Sequence, residues 1–280
     1  MKKTSKIMSL VLAGAMVLSL GACSGGGTAE TTKAELTEAV TAASSEEGTE
    51  AASEAGEGAG QTAEGTTYKI GILQLVQHTA LDAANEGFIA ALDEAGIQYD
   101  LDSQNASGDQ SACQTVASKF ANDKKDLILA IATPAAQAVA GAVTDTPVLI
   151  TAVTDPAESG LVDDNQKPGG NVTGTSDLTP VKEQIDLLKQ ILPDAKKVGI
   201  LYCSAESNSE IQAQMAREAI EAAGMTSQDF TVSSSNEIQT VVQSMVGKVD
   251  AIYAPTDNTI AAGMTTVGMV AGDNNLPVIC

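Results

Sequence analysis

Polar side chains follow the apolar segments of this sequence that have the character of β-strands, and their types favour binding over catalysis. They are Gln77, His78, Thr133, Thr154, Asp155, Ser204, Glu206, Asn208, Thr256, Asp257 and Asn258. Hydroxyl, amide and carboxylate groups of this kind hold a small polar solute through hydrogen bonds. His78 is the only histidine, and the sequence offers no orienting partner that would make it a general base. We interpret it as a loop residue that hydrogen-bonds a ligand or the backbone.

The sequence lacks the motifs that accompany common enzymatic chemistry. It contains no Gly-x-Ser-x-Gly, no Walker A motif, no Gly-x-Gly-x-x-Gly and no cluster of metal ligands. The chain carries 36 acidic and 15 basic residues, a net charge of -21, and no basic stripe. Such a charge argues against binding to the phosphate backbone of nucleic acids. We therefore expect a binding protein with no cofactor, no metal and no nucleic-acid partner, and not an enzyme.

The segments that must position these side chains occur twice. Residues 68–96 and 197–224 each run from an apolar Gly-Ile-Leu strand through a polar loop into an amphipathic helix that ends at glycine. The segment DLILAIATP at 126–134 similarly matches DAIYAP at 250–255. The repeat predicts an α/β fold of two similar doubly wound parallel-sheet lobes, at 68–176 and 177–280. Ligands of such sheets bind at the carboxyl ends of the strands, here in the cleft between the lobes.

Several of these polar residues have a second interpretation as structural residues. Asp257 is either the N-cap of the following helix or the counter-ion of a ligand ammonium, and the two roles are compatible. Asp155 precedes Pro156 and is more readily a turn residue. Asn208 is alternatively a helix cap, and Ser207 with Glu210 has the spacing of a capping box. The same reasoning predicts helix caps at Thr79, Thr179 and Ser234.

The chain begins with a segment that resembles a bacterial lipoprotein signal. Three lysines precede an apolar run at 7–20, and Leu-Gly-Ala-Cys at 20–23 resembles a lipobox. The resemblance implies that residues 1–22 are removed and that Cys23 is lipidated, so that the protein is anchored to the outer face of the cell membrane. Residues 23–67 then form an acidic linker that we expect to be disordered. Cys113, Cys203 and Cys280 have no metal-binding spacing and are expected to be buried free thiols.

From residue 68 onward the chain resembles the substrate-binding proteins of ABC importers, and more closely the tryptophan or aromatic amino-acid subfamily with the type I periplasmic-binding fold. The motifs that carry the resemblance are GILQLVQHTALD at 71–82, IATPAAQ at 131–137, AVTDPAESGLV at 152–162, TGTSD at 173–177, ILPDAKKVGILYCSAESNS at 191–209 and YAPTDNTI at 253–260. The resemblance implies a monomer that binds a small amino-acid-like ligand and delivers it to an ABC permease. A lipoprotein that senses the same ligand and signals to a membrane partner is the alternative.

These observations together suggest an orientation for the ligand. Its carboxylate is expected at the helix start formed by Thr133 and Ala135, where backbone N–H groups are free. Its ammonium is expected near Asp257, and its side chain against Tyr202, Tyr253 or Pro134. Residues 174–177 lie where the chain must cross between the lobes, so we expect the hinge there. Asp177, in the TGTSD motif, completes the set of candidate binding residues.

The repeat also implies that the second copy stops within a strand, because LPVIC at 276–280 matches the start of TPVLITAVTDP at 146–156. We therefore expect a second lobe that is truncated at its C-terminus. A polypeptide of this length is expected to be poorly stable and to bind weakly, and a non-functional gene fragment is a further alternative.

Overall fold

A computed structural model of the protein describes residues 65–280. The predictions for the signal peptide, for Cys23 and for nearly all of the linker lie outside the described residues. The described chain contains two parallel β-sheets, one in the N-terminal lobe (68–176) and one in the C-terminal lobe (177–280). None of its helices has the length and apolar character that crossing a membrane requires.

The N-terminal lobe is built on five parallel strands in the order β2-β1-β3-β4-β5. The strands are β1 (Tyr68–Gln74), β2 (Tyr99–Asn105), β3 (Leu127–Ile131), β4 (Val148–Val153) and β5 (Val172–Ser176). The helices are α1 (Thr79–Glu94), α2 (Gln110–Asp123) and α3 (Thr133–Ala142). Helix α2 packs against α3, while α1 contacts β1, β3 and β4. Right-handed crossovers place α1 on the face opposite α2 and α3, which explains why the central strands are almost entirely apolar.

The C-terminal lobe repeats this arrangement with four parallel strands in the order β7-β6-β8-β9. The strands are β6 (Lys197–Cys203), β7 (Thr226–Val232), β8 (Ala251–Tyr253) and β9 (Val278–Ile279). The helices are α4 (Val181–Ile191), α5 (Ser207–Ala222), α6 (Ile238–Met245), α7 (Asn258–Ala262) and α8 (Met264–Asp273), with a short 3-10 helix at Ser235–Glu237. Helices α4 and α5 pack together, as do α6 and α8. Both sheets share the strand order 2-1-3-4, so the predicted duplication and fold class are confirmed.

The chain passes from the first sheet to the second between Ser176 and Val181. The sequence suggested a hinge at 174–177, but Gly174 and Ser176 belong to strand β5, which pairs with β4. Gly174 lies against a bulge in β4, and a Cβ atom there would lie 1.9 Å from the carbonyl oxygen of Ile150. Only glycine allows the two backbones to approach this closely.

Several predicted helix caps are wrong. The side chains of Thr179, Ser207 and Ser234 cap no helix, and helix α1, which begins at Thr79, has no side-chain cap. Their hydroxyls, where bonded, serve tertiary contacts instead: Thr179 contacts Gln212, and Ser207 contacts Gln137. The expected cap at Asp257 is confirmed, because its carboxylate accepts from the Ile260 N–H at 2.7 Å.

The three described cysteines are free thiols, as expected, but only two of them are buried. Cys113 and Cys203 are buried, whereas Cys280 is exposed. Burial raises the pKa of the Cys113 thiol to about 11, so this group is protonated and unreactive at neutral pH.

Candidate functional site

Side chains from the two lobes meet across the cleft between the sheets. Within residues 65–280, four pairs of residues form side-chain hydrogen bonds across the cleft: His78 with Asn258 (3.5 Å), Gln137 with Ser207 (3.2 Å), Gln212 with Thr154 (3.3 Å), and Gln110 with the carbonyl of Ala205. The cleft is therefore bridged, and the space that remains inside it is lined by residues of both lobes.

The larger cavity in the cleft has a volume of about 340 Å³. One part of its wall is apolar and includes Leu81, Pro255 and Met264. The other part is polar and includes His78, Thr154, Asp177, Thr179, Gln184, Asn208, Thr256, Asp257 and Asn258. No lysine or arginine is among the residues that line it. A molecule with an apolar side chain and a polar, positively charged end matches this division.

A smaller cavity of about 100 Å³ lies elsewhere in the cleft. Both lobes contribute to it, with Leu75, Gln110 and Pro134 from the N-terminal lobe and Glu206 and Thr259 from the C-terminal lobe. Its volume suits a few water molecules better than an amino acid.

The larger cavity collects seven of the fifteen predicted binding residues. These are His78, Thr154, Asp177, Asn208, Thr256, Asp257 and Asn258. Six of the seven follow strands β1, β4, β6 and β8 in the sequence, and Asp177 follows β5. This is the arrangement expected where the carboxyl ends of parallel strands from two lobes face each other.

Other predicted residues lie away from the larger cavity. Gln77 lines an open, polar surface pocket near the ends of β1 and β2. Asp155 is a turn residue, since its Oδ1 accepts from the N–H groups of Ala157 and Glu158. Ser204 is exposed, and its hydroxyl faces the Val232 carbonyl at 3.4 Å.

The start of helix α3 is buried rather than open to the larger cavity. Thr133 and Ala135 are buried in its first turn, and Pro134 lines the smaller cavity. The preceding residue, Ala132, has φ 83° and ψ 151°. This conformation is strained for any residue except glycine, and such strain is concentrated at functional sites. The helix start at which the ligand carboxylate was expected therefore does not line the larger cavity.

The tyrosines that the sequence suggested as contacts for the ligand side chain do not line the larger cavity. Tyr253 is fully buried, and its hydroxyl donates to Gln184 Oε1 at 3.0 Å. The Tyr202 hydroxyl donates to Glu210 at 2.8 Å and lies close to Arg217. Apolar side chains from helices α1 and α8, Leu81 and Met264, take their place on the wall.

Glu206 and Asp257 form a buried carboxylate pair beside the cleft. Both oxygens of Asp257 are used within the lobe: Oδ1 caps α7, and Oδ2 accepts from the Cys203 N–H (2.6 Å) and the Ser209 hydroxyl (2.7 Å). Burial, and then the charge of Glu206, raises the pKa of Asp257 above its ordinary value. The carboxylate of Asp257 is thus committed to joining β6 to α7, and the structure favours its capping role over that of a counter-ion.

Asn208 is the residue of the larger cavity's wall whose hydrogen bonding is incomplete. It is 2% exposed, and its Nδ2 group faces the Glu206 carboxylate (3.3 Å) and the Thr256 carbonyl (3.1 Å). Both groups only accept hydrogen bonds, so they fix the orientation of the amide. Its Oδ1 atom is buried without a partner. A buried acceptor without a donor is costly, and a donor group on a bound molecule would satisfy it.

The sequence did not reveal the contributions of Gln184 and Gln212. Gln184 comes from helix α4 and lines the larger cavity, while Gln212 lies in α5 directly behind the wall. Neither residue follows a strand, which was the signal used to find candidates. No group of three or more potential metal ligands occurs within residues 65–280.

Comparison with known proteins identifies the family. The model of the family described as ABC transporter substrate binding protein matches residues 69–280. The chain belongs to this family. The chain is also similar to the tyrosine-binding protein of Clostridioides difficile (strain R20291), with 45% identity over 214 residues that make up 75% of this chain. The chain spans 62% of the length of that relative.

Solved structures of similar proteins agree with this family assignment. A Streptococcus pneumonia ABC domain in complex with L-Trp superimposes with a TM-score of 0.72 and 43% identity, covering 76% of this chain and 73% of that one. A ligand-free, open substrate-binding protein from Clostridium difficile gives a TM-score of only 0.53 despite 46% identity, covering 76% and 74%. The present chain therefore resembles the L-Trp complex more than it resembles the open structure, in agreement with its bridged cleft.

Proposed function

We propose that this protein is the extracytoplasmic solute-binding component of an ABC importer, and that it holds an amino acid with an aromatic side chain between its lobes. The observation that carries the proposal is the cavity of about 340 Å³, with an apolar wall on one side and a buried, unpartnered amide oxygen on the other. Small-molecule sites commonly have volumes of about 300–1,000 Å³, so the cavity suits a ligand of this size.

The polar part of the wall suits the ammonium group of such a ligand. Asn208 Oδ1 accepts one hydrogen bond, and Asp177 on the same wall supplies a negative charge. The ammonium group is a donor in all three of its N–H bonds, as this environment requires. The aromatic ring lies against Leu81, Pro255 and Met264, and the Met264 thioether adds a favourable contact with its edge.

The relatives support this choice of ligand. A protein that is 45% identical to this chain over 214 residues is a tyrosine-binding protein, and a structure with 43% identity was solved in complex with L-Trp. We infer from them that tyrosine and tryptophan are the first candidates.

We further propose that the protein is attached to the membrane by a lipid on Cys23 and passes its ligand to an ABC permease. The lipobox at 20–23 supports the anchor, and family membership supports the permease. Replacing Cys23 by serine is expected to move the protein from the membrane fraction to the soluble fraction of the expressing bacterium. Equal partition of the variant and the wild type would contradict the anchor.

Isothermal titration calorimetry with a set of related amino acids tests the choice of ligand. L-tyrosine, L-tryptophan and L-phenylalanine are expected to bind, and L-aspartate and L-lysine are not, because a second charge would lie against the apolar wall. Binding that is equal for charged and aromatic amino acids, or absent for all of them, would contradict the proposal.

A further inference from the structure

The two asparagines on the polar wall of the larger cavity present oxygen atoms rather than N–H groups. Asn208 directs its Nδ2 toward the Glu206 carboxylate, and its Oδ1 is buried without a donor. Asn258 donates from its Nδ2 to Glu206 Oε2 at 2.6 Å, and its Oδ1 lies across the cleft, 3.5 Å from His78 Nε2. An ionised carboxylate only accepts hydrogen bonds, so Glu206 holds both amides with their oxygen atoms turned away from it.

The threonine hydroxyls of the same wall give their protons to acceptors within the protein. Thr154 donates to the Asp177 carboxylate and accepts from Gln212 Nε2 at 3.3 Å. Thr256 donates to Gln212 Oε1 at 2.7 Å. Thr179 faces the side-chain oxygen atoms of two glutamines, at 3.2 and 3.4 Å. A hydroxyl has one proton and two lone pairs, so these three side chains offer a ligand acceptors only.

Two carboxyl groups on this wall have no lysine or arginine to balance them. Asp177 and Asp257 line the larger cavity, and no basic side chain of either type is among the residues that do. Desolvation raises the pKa of both carboxyl groups above the ordinary value, and the charge of Glu206 raises the pKa of Asp257 further. A cation in the cavity would stabilise the charged form of both groups. An anion there would be repelled by them.

The donors that remain for a ligand carboxylate are uncharged. Gln184 uses its Oε1 to accept from Tyr253, which leaves its amide N–H groups for a ligand. Helix α1 contributes its first turn to the wall and has no side-chain cap, so its first backbone N–H groups are a second source of donors. Hydrogen bonds from neutral donors are weaker than those from charged ones, and here they must offset the repulsion from Asp177 and Asp257. The carboxylate of an amino acid therefore adds little to binding.

We propose that the larger cavity also binds aromatic amines such as tryptamine and tyramine, which carry the ring and the ammonium group of an amino acid but no carboxylate. This inference deepens the proposed function and rests on it, because it concerns the same cavity and the same place for the ammonium. The ammonium donates to Asn208 Oδ1 beside Asp177, and the ring packs against Leu81 and Met264. Without a carboxylate there is no repulsion from Asp177 and Asp257, so the amine binds at least as tightly as the corresponding amino acid.

Three probes that share an indole ring test this inference by isothermal titration calorimetry. L-tryptophan carries both charged groups, tryptamine carries only the ammonium, and indole-3-propionate carries only the carboxylate. We expect tryptamine to bind at least as tightly as L-tryptophan. Indole-3-propionate should bind about tenfold more weakly than tryptamine or worse, in keeping with the loss of one hydrogen bond to a charged group. The titrations are made at a pH of about 8, at which an ordinary histidine is neutral and adds no positive charge to the wall.

Removing one negative charge from the wall separates electrostatic selection from the apolar contacts of the ring. Asp177→Asn keeps an oxygen that accepts from Thr154 but carries no charge. The affinity for tryptamine should fall roughly three- to tenfold relative to that for L-tryptophan, and the affinity for indole-3-propionate should rise. Asp145→Asn makes the same chemical change at an exposed position that does not line the cavity, and its ratios of affinities should equal those of the wild type. Thermal melts show whether each variant is folded.

The outcomes distinguish this inference from the proposed function. If the wild type binds L-tryptophan more tightly than tryptamine, the carboxylate contributes to binding, and the inference is wrong while the proposed function stands. If Asp177→Asn leaves the ratio of the two affinities as it is in Asp145→Asn, the charge of the wall does not select the amine and the inference is again wrong. Binding of tryptamine without binding of L-tryptophan would support the inference and contradict the amino acid as ligand. A wild type that binds none of the three probes would contradict both.

Discussion

The amide of Asn208 illustrates how the chemistry of a single residue directs the interpretation of the cleft. Its nitrogen donates to the Glu206 carboxylate and the Thr256 carbonyl, so the amide cannot rotate to exchange its nitrogen and oxygen. The oxygen is buried, unpartnered and beside a cavity. A ligand ammonium is the group that satisfies it best, because hydrogen bonds to charged groups contribute about 1.5–3 kcal/mol.

Replacing Asn208 by alanine is therefore expected to weaken binding of L-tyrosine or L-tryptophan by roughly tenfold to a hundredfold. Calorimetry with L-tryptophan and with indole-3-propionate measures the effect, and the second probe should lose little affinity because it has no ammonium. Asn236→Ala, at an exposed position of the 3-10 helix, serves as the control. An equal loss for both probes would mean that Asn208 supports the fold rather than the ligand.

Residues that line the larger cavity were predictable where they follow a strand in the sequence. His78, Thr154, Asn208 and Thr256 were found in this way, because the carboxyl ends of parallel strands meet at one edge of a sheet. Gln184 and Gln212 were not found, since they come from helices and the direction in which a helix faces depends on packing between the lobes. The commitment of Asp257 to its own lobe was also hidden, because its partners Cys203 and Ser209 are about fifty residues away in the sequence.

At the scale of elements, the junction of β4 and β5 depends on a glycine. A Cβ atom on Gly174 would lie 1.9 Å from the Ile150 carbonyl oxygen and 2.7 Å from its nitrogen. Backbone atoms at this position cannot move aside as the end of a side chain can. Gly87, within helix α1, has open space where its Cβ would be placed.

The same substitution at these two glycines is expected to have opposite effects on stability. Gly174→Ala should lower the free energy of unfolding by about 3 kcal/mol, because the two strands must separate. Gly87→Ala should raise it by about 0.5–1 kcal/mol, because alanine loses less conformational entropy in a helix. Urea unfolding followed by circular dichroism measures both. A stable Gly174→Ala variant would show that β5 does not pair with β4 as described.

The buried carboxylate of Asp257, which joins β6 to α7, should make the free energy of unfolding depend on pH. The pKa of Asp257 is raised above its ordinary value of 3.8 by burial and by the charge of Glu206. Between the ordinary pKa and the raised pKa, the folded protein binds more protons than the unfolded chain. The free energy of unfolding therefore falls as the pH rises through that window. Each unit of difference corresponds to about 1.4 kcal/mol.

Asp257→Asn keeps an oxygen that can cap α7 but cannot titrate. Its unfolding midpoint in urea is expected to decline less than that of the wild type as the pH is raised from about 5 to about 8. This range lies above the ordinary pKa of an aspartate side chain. Asp273→Asn, at an exposed position, is the control for removing one negative charge. The same decline in the Asp257→Asn variant and the wild type would show that another group controls the pH dependence.

Most elements were predictable because buried parallel strands form continuous apolar runs. Strand β5 was missed, since Val-Thr-Gly-Thr-Ser contains a single large apolar residue and is exposed for most of its length. The caps at Thr79, Ser207 and Ser234 were predicted wrongly because a hydroxyl near a helix start satisfies the spacing rule whether or not it turns toward the helix. In Ser207 the hydroxyl instead reaches Gln137 of the other lobe.

At the scale of the whole molecule, the internal repeat predicted two lobes of the same topology, and the shared strand order confirms it. The sequence could not predict how closely the lobes approach each other. That distance depends on pairs such as Gln137 with Ser207 and Thr154 with Gln212, which are far apart in the chain. The bridged cleft and the greater similarity to the L-Trp complex than to the open relative are consistent with each other.

The central claim is that an aromatic amino acid binds in the apolar part of the larger cavity, and indole fluorescence tests it most directly. The protein contains no tryptophan, so the emission of added L-tryptophan reports on the ligand alone. We expect its emission to shift to shorter wavelength and its anisotropy to rise on binding, and both changes to be reversed by an excess of L-tyrosine. The protein is added in excess, and its cooperative thermal melt shows that it is folded. If the emission and anisotropy then stay at the values of free L-tryptophan, the claim is contradicted.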